Sequence, residues 1–371
     1  MNNENLTKIK SDPIQSRPRY SKKDVQRAGE ILINENIWKT EPDSFKWGMR
    51  ILSDWRANHA NSLDYITDLL NIISSRVDKK SIVVKRLKRT PSIVTKLRRF
   101  DKMKLRNMQD IAGCRSILST TKNVNKVKRE LNKNREYRVR DYIKKPKPDG
   151  YRGVHLVGKF KNKENGNQYP VEIQLRSRIQ HSWATAVEIV DLFTNQALKS
   201  NEGKKDWLDF FKYISHEFSK LEKINNPPVA DSLEESMRLT KRLDVYKKFE
   251  GYAGSLQVIE SHFKNEMEGY NLIQIDFVGQ TVEVITFPFD QFEAATEEYL
   301  RYEKKAAKNT NFIVALVSSH SIENLKEAYP NYFADSALFV YHLRDVEKTY
   351  IPKQANVLSK WLSVAGFNES T

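Results

Sequence analysis

Four short segments of this chain gather the residue types that handle phosphate. In the first, Arg86 and Lys88 stand two apart in a β-branched run and so share one face of an expected strand. Pro91 marks the start of a helix, and Ser92 and Lys96, four apart, share one side of it near its N-terminus. A strand end and a helix N-terminus carrying three cations and a hydroxyl make a cradle for a polyphosphate. In the second segment, Asp110 leads into the apolar run Ile111-Ala112-Gly113-Cys114-Arg115. An acid entering a buried strand requires a metal or a cation beside it. Mg²⁺, which takes one or two carboxylates together with phosphate oxygens, satisfies that requirement. Arg115 can stack on a base or bind phosphate, and an Asp–Arg structural pair is the plainer alternative.

The third segment runs from Lys145 to His155. Its prolines and glycines set a loop that presents Tyr151 as a stacking surface with Lys145, Lys147 and Arg152 around it. In the fourth, Glu172, Gln174 and Arg176 alternate with Val171, Ile173 and Leu175. Alternation puts acid, amide and cation on one face of a strand and the apolar residues on the other. Arg178 and His181 follow at a helix start, where a histidine in a structural role is the simpler reading.

The elements that must position these groups follow from periodicity. Ser21 caps a helix running to Leu32, and 43–59 and 62–77 read as amphipathic helices. Strands are expected at 82–84, 111–118, 137–143, 154–160 and 169–177, with helices from Pro91, over 124–131 and over 178–193. The Pro-Pro pair at 227–228 marks a bend. Beyond it come a charged helix (231–249), a hairpin around Gly279, a helix over 291–307, a strand over 312–318 and a short helix over 322–328. The expected fold class is α+β: a mixed β-sheet domain flanked by helices, followed by a small C-terminal α/β domain. The expected boundaries are a disordered 1–20, a first domain over 21–224, a linker helix over 225–250 and a second domain over 251–371.

Composition narrows the partners. With 63 Lys and Arg against 47 Asp and Glu, the 371-residue chain carries +16, which favours a polyanion. The charge is uneven: residues 81–106 hold ten cations and one acid, 121–165 fifteen and five, and 251–310 five and ten. The single cysteine, Cys114, excludes an internal disulfide and a cysteine-rich zinc site and suits a reducing cytosol. The lack of an apolar run of ~18 residues leaves no candidate membrane helix.

Taken as a set, in the order RxK…S…K, DIxGxR, GYRxxH, EIQxR and a nearby His, the four segments resemble the RelA/SpoT synthetase family over about 20–193. The resemblance implies a cytoplasmic bacterial pyrophosphokinase using ATP and Mg²⁺. It implies that Arg86 and Arg115 sandwich adenine, that Lys88, Ser92 and Lys96 hold phosphates, and that Asp110 and Glu172 bind Mg²⁺, with Arg176 in the catalytic set. Lys145, Lys147, Tyr151, Arg152, His155, Gln174 and His181 would bind the acceptor. Alarmone-making members usually carry Ser after GYR, where this chain has Gly153. Tyr329 and Tyr332 flank a Pro-Asn turn, which alone reads as a turn packed by its own aromatics. Behind a synthetase they resemble the Y-x-x-Y of CapRel fused toxin–antitoxin proteins of anti-phage defence. That resemblance implies an enzyme that pyrophosphorylates the tRNA 3′ end, blocked by its own C-terminal domain and released by a phage protein such as a capsid component. The alternatives are an alarmone synthetase acting on GDP or GTP, and a non-catalytic RNA-binding module.

Overall fold

The computed structural model describes residues 20–133, 137–194, 198, 203–263, 269–276, 279, 281–306, 312–319 and 332–364. The disordered tail expected before Tyr20 and the short helix expected over 322–328 lie outside these residues. The chain divides into two compact units, each assembled from separate stretches. The first takes the described residues up to Ser116, Lys126–Arg140 and His155–Gln174. The second takes Ile117–Asn125, Asp141–Val154 and the described residues from Leu175 onward.

In the first unit, α1 (Lys22–Leu32) begins at a reciprocal cap. The Asp24 amide donates to Ser21 Oγ (3.2 Å) and the Ser21 amide to the Asp24 carboxylate (2.9 Å), which satisfies two otherwise orphaned donors. After the short α2 (Ile37–Thr40), α3 (Pro42–Ala57) packs on α1, with its Ile51 and Leu52 fully buried in the core they share. Val25, Ala28 and Leu32 of α1 join the same core as Ile93 and Leu97 of α5 (Thr90–Arg99) and Leu105, Met108 and Ile111. The N-terminal helices therefore hold down the helix that carries Ser92 and Lys96. α4 (Ala60–Val77) lies on a mixed five-stranded sheet of order β1-β2-β5-β4-β3. Its strands are β1 (Ile82–Leu87), β2 (Ala112–Leu118), β3 (Arg138–Asp141), β4 (Val154–Lys161) and β5 (Gln168–Ser177), and α6 (Thr121–Asn132) links β2 to β3.

In the second unit, α7 (Arg178–Thr194) and α8 (Lys205–Leu221) meet α9 (Ser232–Arg242), α10 (Val245–Phe263) and a long C-terminal helix, α12 (Tyr332–Val364). β6 (Tyr270–Asp276) forms the centre of a three-stranded antiparallel sheet, with Ile273 opposite both Val284 of β7 (Thr281–Phe287) and Ala315 of β8 (Phe312–Ser318). α11 (Phe292–Ala306) covers this sheet. Rings fill the helical core: Phe339 of α12, fully buried, stacks on Phe249 (5.1 Å between centroids) and meets Phe218 edge-on (5.5 Å). The strands and most helices fall within a few residues of expectation, but the single charged helix expected over 231–249 is two, α9 and α10, broken at Leu243-Asp244 where Asp244 takes φ +51°, and α10 runs on to Phe263. α2, α8 and α12 are additional.

Phe339→Ala should leave a cavity that the surrounding rings cannot fill and lower the unit's unfolding free energy by about 3–5 kcal/mol. Phe292→Ala, at a half-exposed ring, should change it by less than about 0.5 kcal/mol. Denaturant unfolding of both variants checks the contrast.

Candidate active site

The first cluster forms where β1 ends and β2 begins. The Lys88 amide donates to Ile111 O (2.7 Å), which fixes Lys88 beside Asp110. Arg56 of α3 secures the same turn by donating from Nε to Lys88 O (2.9 Å). Across the turn, Arg89 is extended at the N-cap of α5 and Pro91 sits in its first turn, so Ser92 is exposed there and Lys96 follows one turn later. Lys96 Nζ (2.7 Å) and Lys88 Nζ (3.2 Å) both donate to Asp110 Oδ2. Two ammonium groups thus share one carboxylate oxygen, and Arg86 stands exposed nearby on β1. Burial lowers the Lys88 pKa, Asp110 opposes the shift, and Lys96 and Arg86 reinforce it. Burial would raise Asp110, but the two lysines outweigh it and hold the carboxyl below its ordinary value. The excess of positive charge is what an incoming anion would neutralise.

The second cluster lies along the polar face of β5. Glu172 Oε1 is 3.0 Å from His155 Nδ1, and Gln174 Nε2 donates to Glu172 Oε2 (2.8 Å). Arg115 Nε donates to Gln174 Oε1 (3.2 Å), so β4, β5 and β2 are tied by one row of polar groups. Burial alone would raise Glu172; His155, Gln174 and Lys96 together hold it down to about 2. His155 therefore fixes the charge of Glu172, a role its place in GYRxxH does not disclose. Arg115 is buried, and its guanidinium is oriented by Gln174. On the opposite face of β2, Cys114 is buried and its thiol is pushed up to about 12 by burial, an inert core position.

The donor set fits a hard divalent cation. Asp110 Oδ1 is buried with no hydrogen-bond partner among the described residues, while Oδ2 is occupied by the lysines. Glu172 is ionised, and its charge acts on Asp110. No cluster of three or more His, Cys, Asp and Glu suited to a metal occurs among the described residues. Two carboxylates with phosphate oxygens and water is the usual arrangement for Mg²⁺.

The remaining expected residues belong to the second unit. Tyr151 is only 8% exposed. Arg176 Nε donates to its hydroxyl (3.2 Å), the Arg176 guanidinium lies 5.0 Å from its ring centroid, and Lys147 Nζ lies 4.7 Å away. To stack on a base, the ring would first have to leave these cations. Arg152 is buried and holds the loop from inside, donating to Ser215 Oγ (3.3 Å), Ile143 O (3.2 Å) and Asn226 Oδ1 (3.3 Å). Lys145 is exposed. Gly150 (φ +91°) and Gly153 (φ +153°) adopt conformations that side chains rarely take. A Cβ on Gly153 would stand 3.1 Å from the Tyr151 hydroxyl and 3.3 Å from Arg176 Cγ, so the departure from Ser is built into this loop. His181 is buried in α7, its Nε2 3.1 Å from Asp335 of α12. Tyr329 lies outside the described residues; Tyr332 opens α12, and its side chain lies outside them.

Residues 85–190 match the family model described as the region found in RelA / SpoT proteins, and the chain carries that region there. The relatives it matches include the GTP pyrophosphokinases YwaC and YjbM of Bacillus subtilis. Each is 36% identical over 110 residues, covering 27% and 28% of this chain respectively and 52% of each relative. The chain thus spans about half the length of the curated relatives it matches. Among solved structures it is similar to small alarmone synthetase 1 from Bacillus subtilis bound to its product pppGpp (22% identity, TM-score 0.40, 47% of this chain and 94% of that one). Small alarmone synthetase 2 from the same organism gives 27% identity and TM-score 0.40 over 46% and 94%.

Glu172 has a folded pKa near 2 against an ordinary 4.5, so it stabilises the fold above about pH 4.5 and loses that contribution as pH falls towards 2. Glu172→Gln should lower stability by about 2 kcal/mol near neutral pH. The gap between variant and parent should close between those pH values, as read by denaturant melts across the range.

Proposed function

We propose that this chain is an ATP-dependent pyrophosphokinase. The observation that carries the proposal is the doubly charged lysine pair on Asp110 Oδ2, with Oδ1 left open and ionised Glu172 on the neighbouring strand. Lys88, Lys96, Ser92 and Arg86 would receive the triphosphate, and Asp110 and Glu172 would hold Mg²⁺. The ion would neutralise charge on the transferring group. In the transfer, an acceptor hydroxyl oxygen bonds to the β-phosphorus of ATP, the bond to the α–β bridging oxygen breaks, and AMP departs with that oxygen. Such chemistry depends on position and charge compensation more than on covalent help. A carboxylate held near pKa 2 is a weak proton acceptor. Glu172 therefore supplies charge and orientation, and the hydroxyl proton passes to solvent.

For the acceptor we favour the 3′ end of tRNA, supported by the net charge of +16 and by Gly153 in place of the family's usual Ser. The name GTP pyrophosphokinase borne by both curated relatives favours a second reading, with GDP or GTP as acceptor. Regulation by the C-terminal part is supported by the packing of α12 on α7 and by Asp335 reaching His181. Release by a phage protein, a capsid component above all, completes the reading carried by the CapRel resemblance.

ATP labelled at the γ-phosphate, offered with bulk tRNA, GDP or GTP, tests this. Label on tRNA from the full chain or from Asp335→Ala is the expected result, with a rise of tenfold or more on releasing His181 if α12 restrains the site. Label on GDP or GTP instead establishes the second reading. Asp110→Asn should lower either transfer by at least about 10²-fold. ATP bound with no transfer from any variant would leave a non-catalytic RNA-binding module.

A further inference from the structure

A second cationic site lies on the reverse face of the first unit's sheet. Arg115 turns to the polar row with Gln174, and the next residue of β2, Ser116, points the other way. Ser116 Oγ meets Ser74 Oγ of α4 at 2.8 Å, so α4 covers the face away from Asp110 and Glu172. Between α4 and α6 the surface opens a groove of about 520 Å³ floored by Ile73 and Val77. Arg76 projects from one wall, and Lys126, Arg129 and Lys133 from the other. Lys126 and Arg129 fall at i and i+3 on one side of α6, and Lys133 continues the row in the turn just past the end of the helix. Lys133 is paired with Glu130 at 2.7 Å in an exposed contact, which is weak. Arg76, Lys126 and Arg129 are exposed and have no carboxylate partner among the described residues.

The lining also defines what the groove lacks. It holds no aromatic ring to stack on a base and no amide or hydroxyl side chain to read one. Its one acceptor side chain, Glu130, is engaged by Lys133. A ligand there is recognised through its phosphates alone, and a row of cations suits a row of phosphates. We infer that the α4–α6 groove docks the phosphodiester backbone of RNA, without reading its sequence. The inference does not depend on which acceptor the cradle serves, because it concerns binding in the absence of ATP.

Binding of fluorescent bulk tRNA to the full chain, titrated across salt, tests it. Arg76→Gln/Arg129→Gln should weaken binding about tenfold or more at physiological salt and reduce the slope of log K against log salt by roughly 2. Arg76→Lys/Arg129→Lys, which keeps both charges, should retain the slope. Direct binding of inorganic tripolyphosphate should be unchanged in the Gln pair. An unchanged tRNA slope in the Gln pair would overturn the inference. So would an equal loss from Lys22→Gln/Lys23→Gln on exposed α1, since binding would then follow net charge alone. Loss of tripolyphosphate binding in the Gln pair would overturn it in favour of a small-polyphosphate pocket.

Discussion

One carboxylate oxygen serving two ammonium groups is the interaction around which the first unit is arranged. Asp110 Oδ2 can face Lys88 and Lys96 only if the end of β1, the start of β2 and the first turns of α5 converge. The backbone bond from Lys88 to Ile111 makes the strands converge, and the shared core of α1, α3 and α5 fixes the helix. The arrangement is electrostatically incomplete. One negative charge does not balance two positive ones, and burial lowers the Lys88 pKa in spite of Asp110 beside it. The cluster thus keeps an excess of positive charge over its own carboxylate, the kind of imbalance that a phosphate ligand would neutralise.

The polar row on β2, β5 and β4 answers the opposite need. Glu172 is a half-buried anion, and it stays ionised because His155 and Gln174 each occupy one of its oxygens. Those bonds also fix its orientation, so the two carboxylates of the site are set by different means. Asp110 is set by cations that a ligand can compete for, Glu172 by neighbours within its own sheet. A polyphosphate entering the cradle would redistribute the lysines, while Glu172 would keep its bonds to His155 and Gln174 and feel the change only through the charge of Lys96.

Much of this was legible in the sequence where the cause was local. The i, i+4 spacing of Ser92 and Lys96 and the alternation of Glu172, Gln174 and Arg176 state their own geometry, and Ser21 announced its cap. The partner of His155 did not show, because a contact between adjacent strands depends on register. Arg56, which holds Lys88 O from a helix over thirty residues upstream, carries no local signal either. Arg152 reads as a surface phosphate ligand in a basic loop, yet it is buried and serves Ser215 and Asn226. α8 was readable from Trp207, Phe210, Phe211, Ile214 and Phe218 at helical spacing, but it carries none of the motif residues.

The ring-filled core of the second unit has a bearing on how such a chain could be built or divided. Trp183 of the RelA/SpoT region, Phe211 and Phe218 of α8 and Phe339 near the C-terminus belong to one continuous apolar cluster. α12 is therefore a structural part of the body that holds α7 and α8, not an appendage tied on by a linker. Recombination that exchanged α12 alone between relatives would leave mismatched rings inside a packed interior. An exchanged α12 would keep this interior filled only if the facing rings of α7 and α8 changed with it.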